Sequence, residues 1–530
     1  MRIAVIGSGP AAVSCARALA RRGVRMTMID AGETLDPALE AMVDGLRKQP
    51  VTDWDRGTVD ALLRNPTIGK EAVPRKLAFG SDFVYAHDRA DWPIERGDCR
   101  AAPCLARGGL TPVWGGAMLP VHDRDIGDWP IGRADLAPHY ERVLAALPLA
   151  AESDRLEREF PLYRQSPSAL AAPRSIESLR RDLDRVAPSF AQGEFVHGRA
   201  RLAVRLKNDA SGDGCVYCGL CLAGCPLGSI YRADAELTAL ERGGAVKYLG
   251  GMLVQSLRED ADGVELSLCR RGDGAAHAMR FDRVFLGAGA INSTAIMLRS
   301  LDLFDRPVRL KDSRKFALPM VRWRGHAVEW PHVNSLAGLF IEVRWPRHSP
   351  HWVHLQVSAP NDYVLRRLGL PLAGPPGFRI DPRVAAVRHM LVAWCSLHSS
   401  LSDEIELRVN PEGVGGRPSI GLAVCTNEGA RHTARRTSWA LARLGLRFGT
   451  LFLAPFRLTS PAGSTGHLGG SFPMRRSGSD ALHSDVIGRP MGLKRIHLVD
   501  AATFPSIPAT TIALTIMANA ERIASSAPLD

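Results

Sequence analysis

The sequence predicts an α/β protein in which a doubly wound parallel-sheet domain, assembled from separated pieces of the chain, is joined to a second, mainly antiparallel-sheet domain. Three observations predict it. At 530 residues the chain is too long for one small core and should divide into lobes. Its N-terminal stretch to Asp30 reads strand, glycine turn, helix, strand. Two more apolar strands running into small residues recur at Val284 and His497, and segments of apolar–polar alternation lie between them.

Composition narrows the class. Hydrophobic residues make up 45% and charged residues 23%, which excludes a disordered or fibrous chain. The net charge of +12 suggests nucleic acid, but only 8 of the 67 basic residues are lysine and the arginines are scattered. A nucleic-acid face would show basic stripes interleaved with aromatics, so no such partner is expected. The opening run Met1–Gly7 is too short for a signal peptide. The longest uncharged stretch, Ala501–Ala520, holds Pro505, Pro508 and four threonines and reads as loop plus helix, not a membrane span. A cytoplasmic protein is expected.

Arg2–Ile6 reads as a buried strand, and Gly7-Ser8-Gly9-Pro10-Ala11-Ala12 as a Gly-x-Gly-x-x-Ala turn opening a helix over 11–22. Gly7 permits the tight turn, Gly9 lets backbone approach a pyrophosphate, and Ala12 allows close helix–strand contact. The helix N-terminus supplies free N–H groups and the positive end of its dipole. A second strand, Arg25–Ile29, ends in Asp30, placed to accept hydrogen bonds from a ribose. The turn predicts a dinucleotide without separating FAD from NAD. Val284–Leu286 leads into Gly287-Ala288-Gly289-Ala290 and a helix from Ser293 to Arg299; His497–Ala501 leads into the helix Ile512–Ile523. Such scattered pieces suit a cofactor gripped along its whole length.

Residues 317–358 alternate in strand fashion, as in Phe340–Trp345 and Trp352–Val357. With Glu404–Val409 they predict one mainly antiparallel sheet whose face would roof the cofactor. Trp323, Trp330, Trp345, Trp352 and Trp394 are core aromatics that could line a cavity. Helices are expected over 136–147, 176–186 and 434–448, the last with a solvated arginine face.

Cys215, Cys218, Cys221 and Cys225 follow the spacing C-x2-C-x2-C-x3-C-P, the bacterial ferredoxin run for a 4Fe–4S cluster. Gly219 and Gly224 permit the turns, and Val216, Leu220 and Leu222 can screen a cluster from water. Cys225 could close the same cluster, a distant Cys99 or Cys104 could serve, or the site could hold a 3Fe–4S form. Structural zinc is the main alternative, although zinc sites usually pair two knuckles across a longer loop, and a vestigial thiol cluster is the remaining one.

Four blocks of the sequence resemble the glucose–methanol–choline (GMC) family of flavin oxidoreductases: the N-terminal fingerprint to Asp30; Arg107-Gly108-Gly109-Leu110-Thr111-Pro112-Val113-Trp114-Gly115-Gly116; Val284–Leu298; and the tail, which pairs His467–Met474 with Val499–Pro508. Residues 301–455 match nothing in the family pattern. The resemblance implies FAD in a Rossmann-like domain made of 1–123, 229–300 and 458–530, with a substrate domain of 124–228 and 301–457 that carries the cysteine loop 215–226. Cofactor contacts would come from Gly7, Gly9, Ala11, Ala12, Asp30, Gly109, Trp114, Gly115, Gly116, Ala288, Gly289, Asp500 and Ala501. It also implies that His467 is the base that removes the hydroxyl proton of an alcohol. Where the family has a second His or Asn, the matching position here is Thr511, which can donate one hydrogen bond but cannot act as a base.

FAD takes a hydride pair and an iron–sulfur cluster carries single electrons, so together they predict a dehydrogenase. Its expected substrate is a sugar, cyclitol or biosynthetic alcohol, and its acceptor an external one-electron carrier such as a ferredoxin, cytochrome or quinone. Two other readings remain: a ferredoxin-driven reductase of a C=C or C=O bond, and a non-catalytic electron-transfer subunit.

Overall fold

The computed structural model describes residues 1–67, 73–85, 91–165, 167–207, 214–326, 335–346, 349–370, 382–413, 418–478 and 480–529. Strand Ile3–Ile6 is buried at every position and pairs in parallel with Met26–Ile29 on one side and Arg283–Leu286 on the other. Ile496–Leu498 extends the sheet beyond Arg283–Leu286, and Val246–Leu249 extends it beyond Met26–Ile29. All five strands are parallel, and chain order reverses direction at Ile3–Ile6. In such sheets ligands bind beyond the carboxyl ends of the strands at that reversal. The turns Gly7–Gly9 and Gly287–Gly289 sit there.

Helix Pro10–Arg21 leaves the first turn with a proline in its first turn and with buried Ala11, Ala12, Ser14, Cys15, Ala16 and Ala18 along it. Small side chains let it lie close to both the sheet and the C-terminal helix Ala513–Ser526. Arg22 caps that C-terminal helix by donating to the carbonyls of Ala524 (2.6 Å) and Ala527 (2.9 Å). Helix Ala290–Ser300 follows the second turn. Every strand and helix expected of this sheet is present, shifted by a few residues at its ends.

The second lobe is built on an antiparallel sheet in the order 450–452, 315–322, 390–396, 353–358, 339–343, 195–199, with 458–459 also pairing with 315–322. Strict alternation divides its faces. Phe316, Leu318, Met320, Leu339, Ile341, Leu355, Val357, Leu391 and Ala393 form a core beneath helices Arg174–Val186 and Glu428–Gly445. The residues between them point the other way.

One expectation needs correcting. Glu404–Val409 is a strand, but it belongs to a separate four-stranded sheet with 308–311, 419–425 and 94–96. Alternation identifies a strand without identifying its partner, and Ile405, Leu407 and Val409 find their core beside the nucleotide-type sheet instead. The tryptophans do not gather around one cavity either. Trp323 is 52% exposed and Trp352 is fully buried. Trp394 donates to Ser358 (3.3 Å) and Trp345 flanks the lobe core; Trp330 lies outside the described residues. Among the described residues no helix is long and apolar enough to cross a membrane.

Asp500 ties three segments together. Its buried carboxylate accepts from Gly289 N–H (2.8 Å), the Ser293 hydroxyl (2.6 Å) and Ala502 N–H (2.9 Å). Asp500→Ala orphans all three donors and should lower the stability of the fold by on the order of 3 kcal/mol, read as a drop in the urea midpoint, with Asp500→Asn intermediate.

Candidate functional site

The first part of the site is a cradle of turns at the reversal of the sheet. Gly7 has φ +95°, and a Cβ there would lie 2.5 Å from the Gly287 carbonyl oxygen. Gly109 has φ +61°, and a Cβ on it would lie 2.9 Å from the Gly9 Cα. Three turns therefore touch through bare backbone. Ser8 links them: Gly108 N–H donates to its hydroxyl (2.9 Å), which donates to Asp30 (2.5 Å). Tyr248 also donates to Asp30 (3.1 Å), and the Arg107 guanidinium lies over the Tyr248 ring. Burial pushes the Asp30 carboxyl up to about 6, against the pull of the Ser8 and Tyr248 hydrogen bonds. Gly9, Ala11 and Ala12 begin the helix whose free N–H groups face this cradle, an arrangement suited to a pyrophosphate.

The remaining residues expected at the cofactor are mostly held by the backbone network. Trp114 donates its indole N–H to the Tyr231 carbonyl (2.8 Å), and the Gly116 carbonyl accepts from Ala203 N–H (2.6 Å). Ala288 N–H donates to Ser293 (3.1 Å), Gly289 N–H to Asp500, and the Ala501 carbonyl accepts from Gly470 N–H (3.0 Å). Gly115 lies open beside a lysine, with a Cβ there 3.3 Å from Lys76 Nζ.

The second part is the loop that carries His467. Lys311 and Gly469 exchange backbone hydrogen bonds (2.7 and 3.1 Å), and Lys311 Nζ donates to the Pro505 carbonyl (2.5 Å). The buried Asp312 carboxylate accepts from Gly463 N–H (2.8 Å) and the Thr465 hydroxyl (2.6 Å); Thr465 in turn accepts from His467 N–H (3.1 Å). His467 Nε2 lies 3.2 Å from Lys315 Nζ, and its Nδ1 is buried without a hydrogen-bond partner among the described residues. Burial first, then the charge of Lys315, holds the imidazole well below its usual range. It is therefore neutral at neutral pH, the form that can accept a proton. Thr510 and Thr511 are buried with hydroxyls that likewise lack partners, so Thr511 makes no hydrogen bond to His467.

The sheet of the second lobe supplies residues that the sequence reading missed. Lys315 pairs across the ladder with Ser396, Ser396 with His354, and His354 with Glu342, so the four form one row on one face. His354 Nδ1 lies 2.5 Å from Glu342 and its Nε2 3.1 Å from the Gln356 amide. His354 and Lys76 both act electrostatically on His467. Burial pushes the ammonium groups of Lys76 and Lys315 each down to about 8. A compositional signal was present: in a chain that uses arginine almost everywhere, a lysine is a departure needing a reason.

The third part is the cysteine loop. Cys215, Cys218, Cys221 and Cys225 all line one small cavity whose other walls include Leu170, Val204, Ile230 and Leu336. Cys99 and Cys104 do not line it. Burial pushes the Cys215 thiol to about 11 and the Cys221 thiol to about 12, and raises Cys218 well above its usual range. Ser229 N–H donates to Cys225 Sγ (3.3 Å). Four thiols, Cys218 buried and the other three half-buried, thus face one largely apolar hollow. Among the described residues no group of three or more His, Cys, Asp or Glu side chains is placed to hold a metal ion. Lys76 is the common neighbour of this loop and the glycine loop, since it feels the charge of Cys221 and lies against Gly115.

Asp312→Ala should loosen the loop that presents His467, with the amides of Gly463 and His467 exchanging with deuterium about 10- to 100-fold faster and those of the parallel sheet unchanged.

No protein-family profile matches this sequence, and no curated protein matches it. Solved structures do. The chain resembles a pyridoxine 4-oxidase from Mesorbium loti, with TM-score 0.58 and 19% identity over 99% of this chain and 98% of that one. It also resembles a formate oxidase, with TM-score 0.59 and 14% identity over 98% of this chain and 97% of that one. The likeness spans both lobes and is one of fold.

Proposed function

We propose that this chain is an FAD-dependent oxidoreductase of the glucose–methanol–choline type, acting on the CH–OH group of a small molecule and handing electrons to an external one-electron carrier. The observation that carries the reading is the conjunction of a pyrophosphate-shaped cradle at the sheet reversal with a buried, neutral His467 on a loop braced from three sides. The oxidases that share the fold act, by their names, on pyridoxine and formate, which supports small-molecule oxidation.

Gly7, Gly9, Ala11, Ala12 and Asp30 would hold the dinucleotide, with Gly109, Gly115 and Gly116 beside the flavin. FAD, when bound, accepts hydride from the substrate carbon. His467 Nε2 takes the hydroxyl proton. Before substrate arrives, the Lys315 ammonium donates to that nitrogen, so the incoming hydroxyl must replace the lysine as its hydrogen-bond donor. Thr511 has a hydroxyl free to donate to the substrate oxygen, which would orient it. The braced, proton-accepting histidine favours an enzyme over a passive relay.

The four cysteines around one apolar cavity support a 4Fe–4S cluster, which carries one electron at a time. With Lys76 between the cysteine loop and the glycine loop, the arrangement favours a dehydrogenase delivering to a ferredoxin, cytochrome or quinone.

Anaerobically purified protein should show flavin absorbance together with about four irons and four sulfides per chain. Zinc, or no metal, would leave the cysteine loop structural and make an oxygen-using oxidase the better reading. Replacing Cys218 and Cys221 with serine should remove the iron while FAD remains. His467→Ala should keep FAD bound but slow its reduction by substrate by about 10²- to 10⁴-fold; unimpaired reduction would remove His467 from the chemistry.

A further inference from the structure

From the row of polar side chains on the second-lobe sheet we infer that the substrate is an anion, and that a carboxylate or phosphate group on it seats against Lys315 and Lys76 beside His467. The inference deepens the function proposed above and rests on it.

Charge balance is the first ground. Lys315 meets His467, and no acidic group lies within ion-pair distance of Lys315 or Lys76 among the described residues. Of the carboxylates nearby, Asp312 accepts from Gly463 and Thr465 and its charge also acts on Lys315, so it offsets at most one of the two ammonium groups, while Glu342 is engaged by His354. Some buried cations elsewhere in this protein find acidic partners, as Arg322 does with Asp182 and Arg271 with Glu33, and others, such as Arg201, Arg299 and Arg522, are met by carbonyl and amide oxygens. Two half-buried ammonium groups beside a histidine are a costly arrangement with nothing bound, and an anion between them relieves it.

The reaction itself is the second ground. When His467 accepts a proton it becomes a third cation in the same place, and Lys315 and Lys76 both oppose that charge. A neutral alcohol leaves this repulsion standing at the moment of proton transfer. An anionic substrate brings the compensating charge with it, so His467 becomes a competent base only when the anion is in place. Geometry supplies the third. Lys315 stands on the sheet above His467, and Lys76 stands against Gly115 of the glycine loop, so the two approach the site from different walls. An oxyanion held by both would be fixed in orientation, which favours substrates that carry it on the same small molecule as the reacting CH–OH, such as a hydroxy acid or a sugar phosphate.

The test uses purified holoenzyme with simple anions that cannot be oxidised. Acetate and inorganic phosphate are titrated separately and followed by perturbation of the flavin spectrum and by calorimetry, with acetamide as the neutral control. Saturable binding of one anion and none of acetamide is expected, and which anion binds identifies the group on the substrate. Lys315→Met and Lys76→Met should each weaken that binding about 10- to 100-fold, with Lys315→Arg near wild type. If neither anion binds to flavin-loaded protein, or if the methionine variants bind it as well as wild type, the inference fails. If the methionine variants change only the flavin's reduction potential, the lysines serve the reduced cofactor and the inference also fails. Protein that carries no flavin would instead overturn the function on which the inference rests, and calorimetry would then report on the anion site by itself.

Discussion

The structure depends on backbones meeting where no side chain fits. Gly7 lies under the Gly287 carbonyl, and Gly109 lies against Gly9. These contacts bring three turns from distant parts of the chain to the carboxyl edge of one sheet. A methyl group at residue 7 would be 2.5 Å from an oxygen, far inside any van der Waals contact, so the sheet and its turns would have to separate. Ser8 then converts proximity into order, since its single hydroxyl is shared between Gly108 and Asp30. The cradle, the glycine loop and the first two strands thus hold one another in register.

Buried polar groups in this protein differ in how fully they are partnered, and among the described residues partnerless atoms also occur away from the site, as at Trp92 Nε1 and Trp352 Nε1. Asp500, Asp30 and Asp312 are carboxylates, each given two or three donors from separate segments. A net hydrogen bond is worth about 1 kcal/mol, and an abandoned donor costs more, so these acids act as rivets. Lys315, Lys76, His467 Nδ1, Thr510 and Thr511 are a different kind: polar, at least half-buried, and short of partners.

Much of the fold was legible from local pattern. The strand–turn–helix at the N-terminus is written in adjacent residues, and so is the cysteine spacing, because the chain must curl around a common centre within a few residues. His467 was legible only through resemblance, since one histidine among 16 has no local mark. Lys315, Ser396, His354 and Glu342 were not legible at all. They are neighbours through cross-strand register, separated by tens of residues in sequence, and alternation predicts which face a side chain takes without naming the residue opposite. The same limit misassigned Glu404–Val409, whose alternation suits either sheet.

The order of the parallel sheet bears on how the protein is made. Ile3–Ile6 precedes every other strand of its sheet in the chain, yet the sheet is closed by Ile496–Leu498, and the helix it feeds is covered by Ala513–Ser526. The lobe built on that sheet therefore cannot be finished until residues 496–526 have been synthesised. Until then Arg283–Leu286 has an unpaired edge and Pro10–Arg21 an uncovered apolar side, while the antiparallel sheet, all of whose longer strands lie between 195 and 452, can already assemble. A nascent chain stalled or cut short between residues 459 and 496 would thus carry a formed second lobe and a sticky, half-built first one. Its fate rests with chaperones and proteases, and residues 496–526 decide whether that lobe closes.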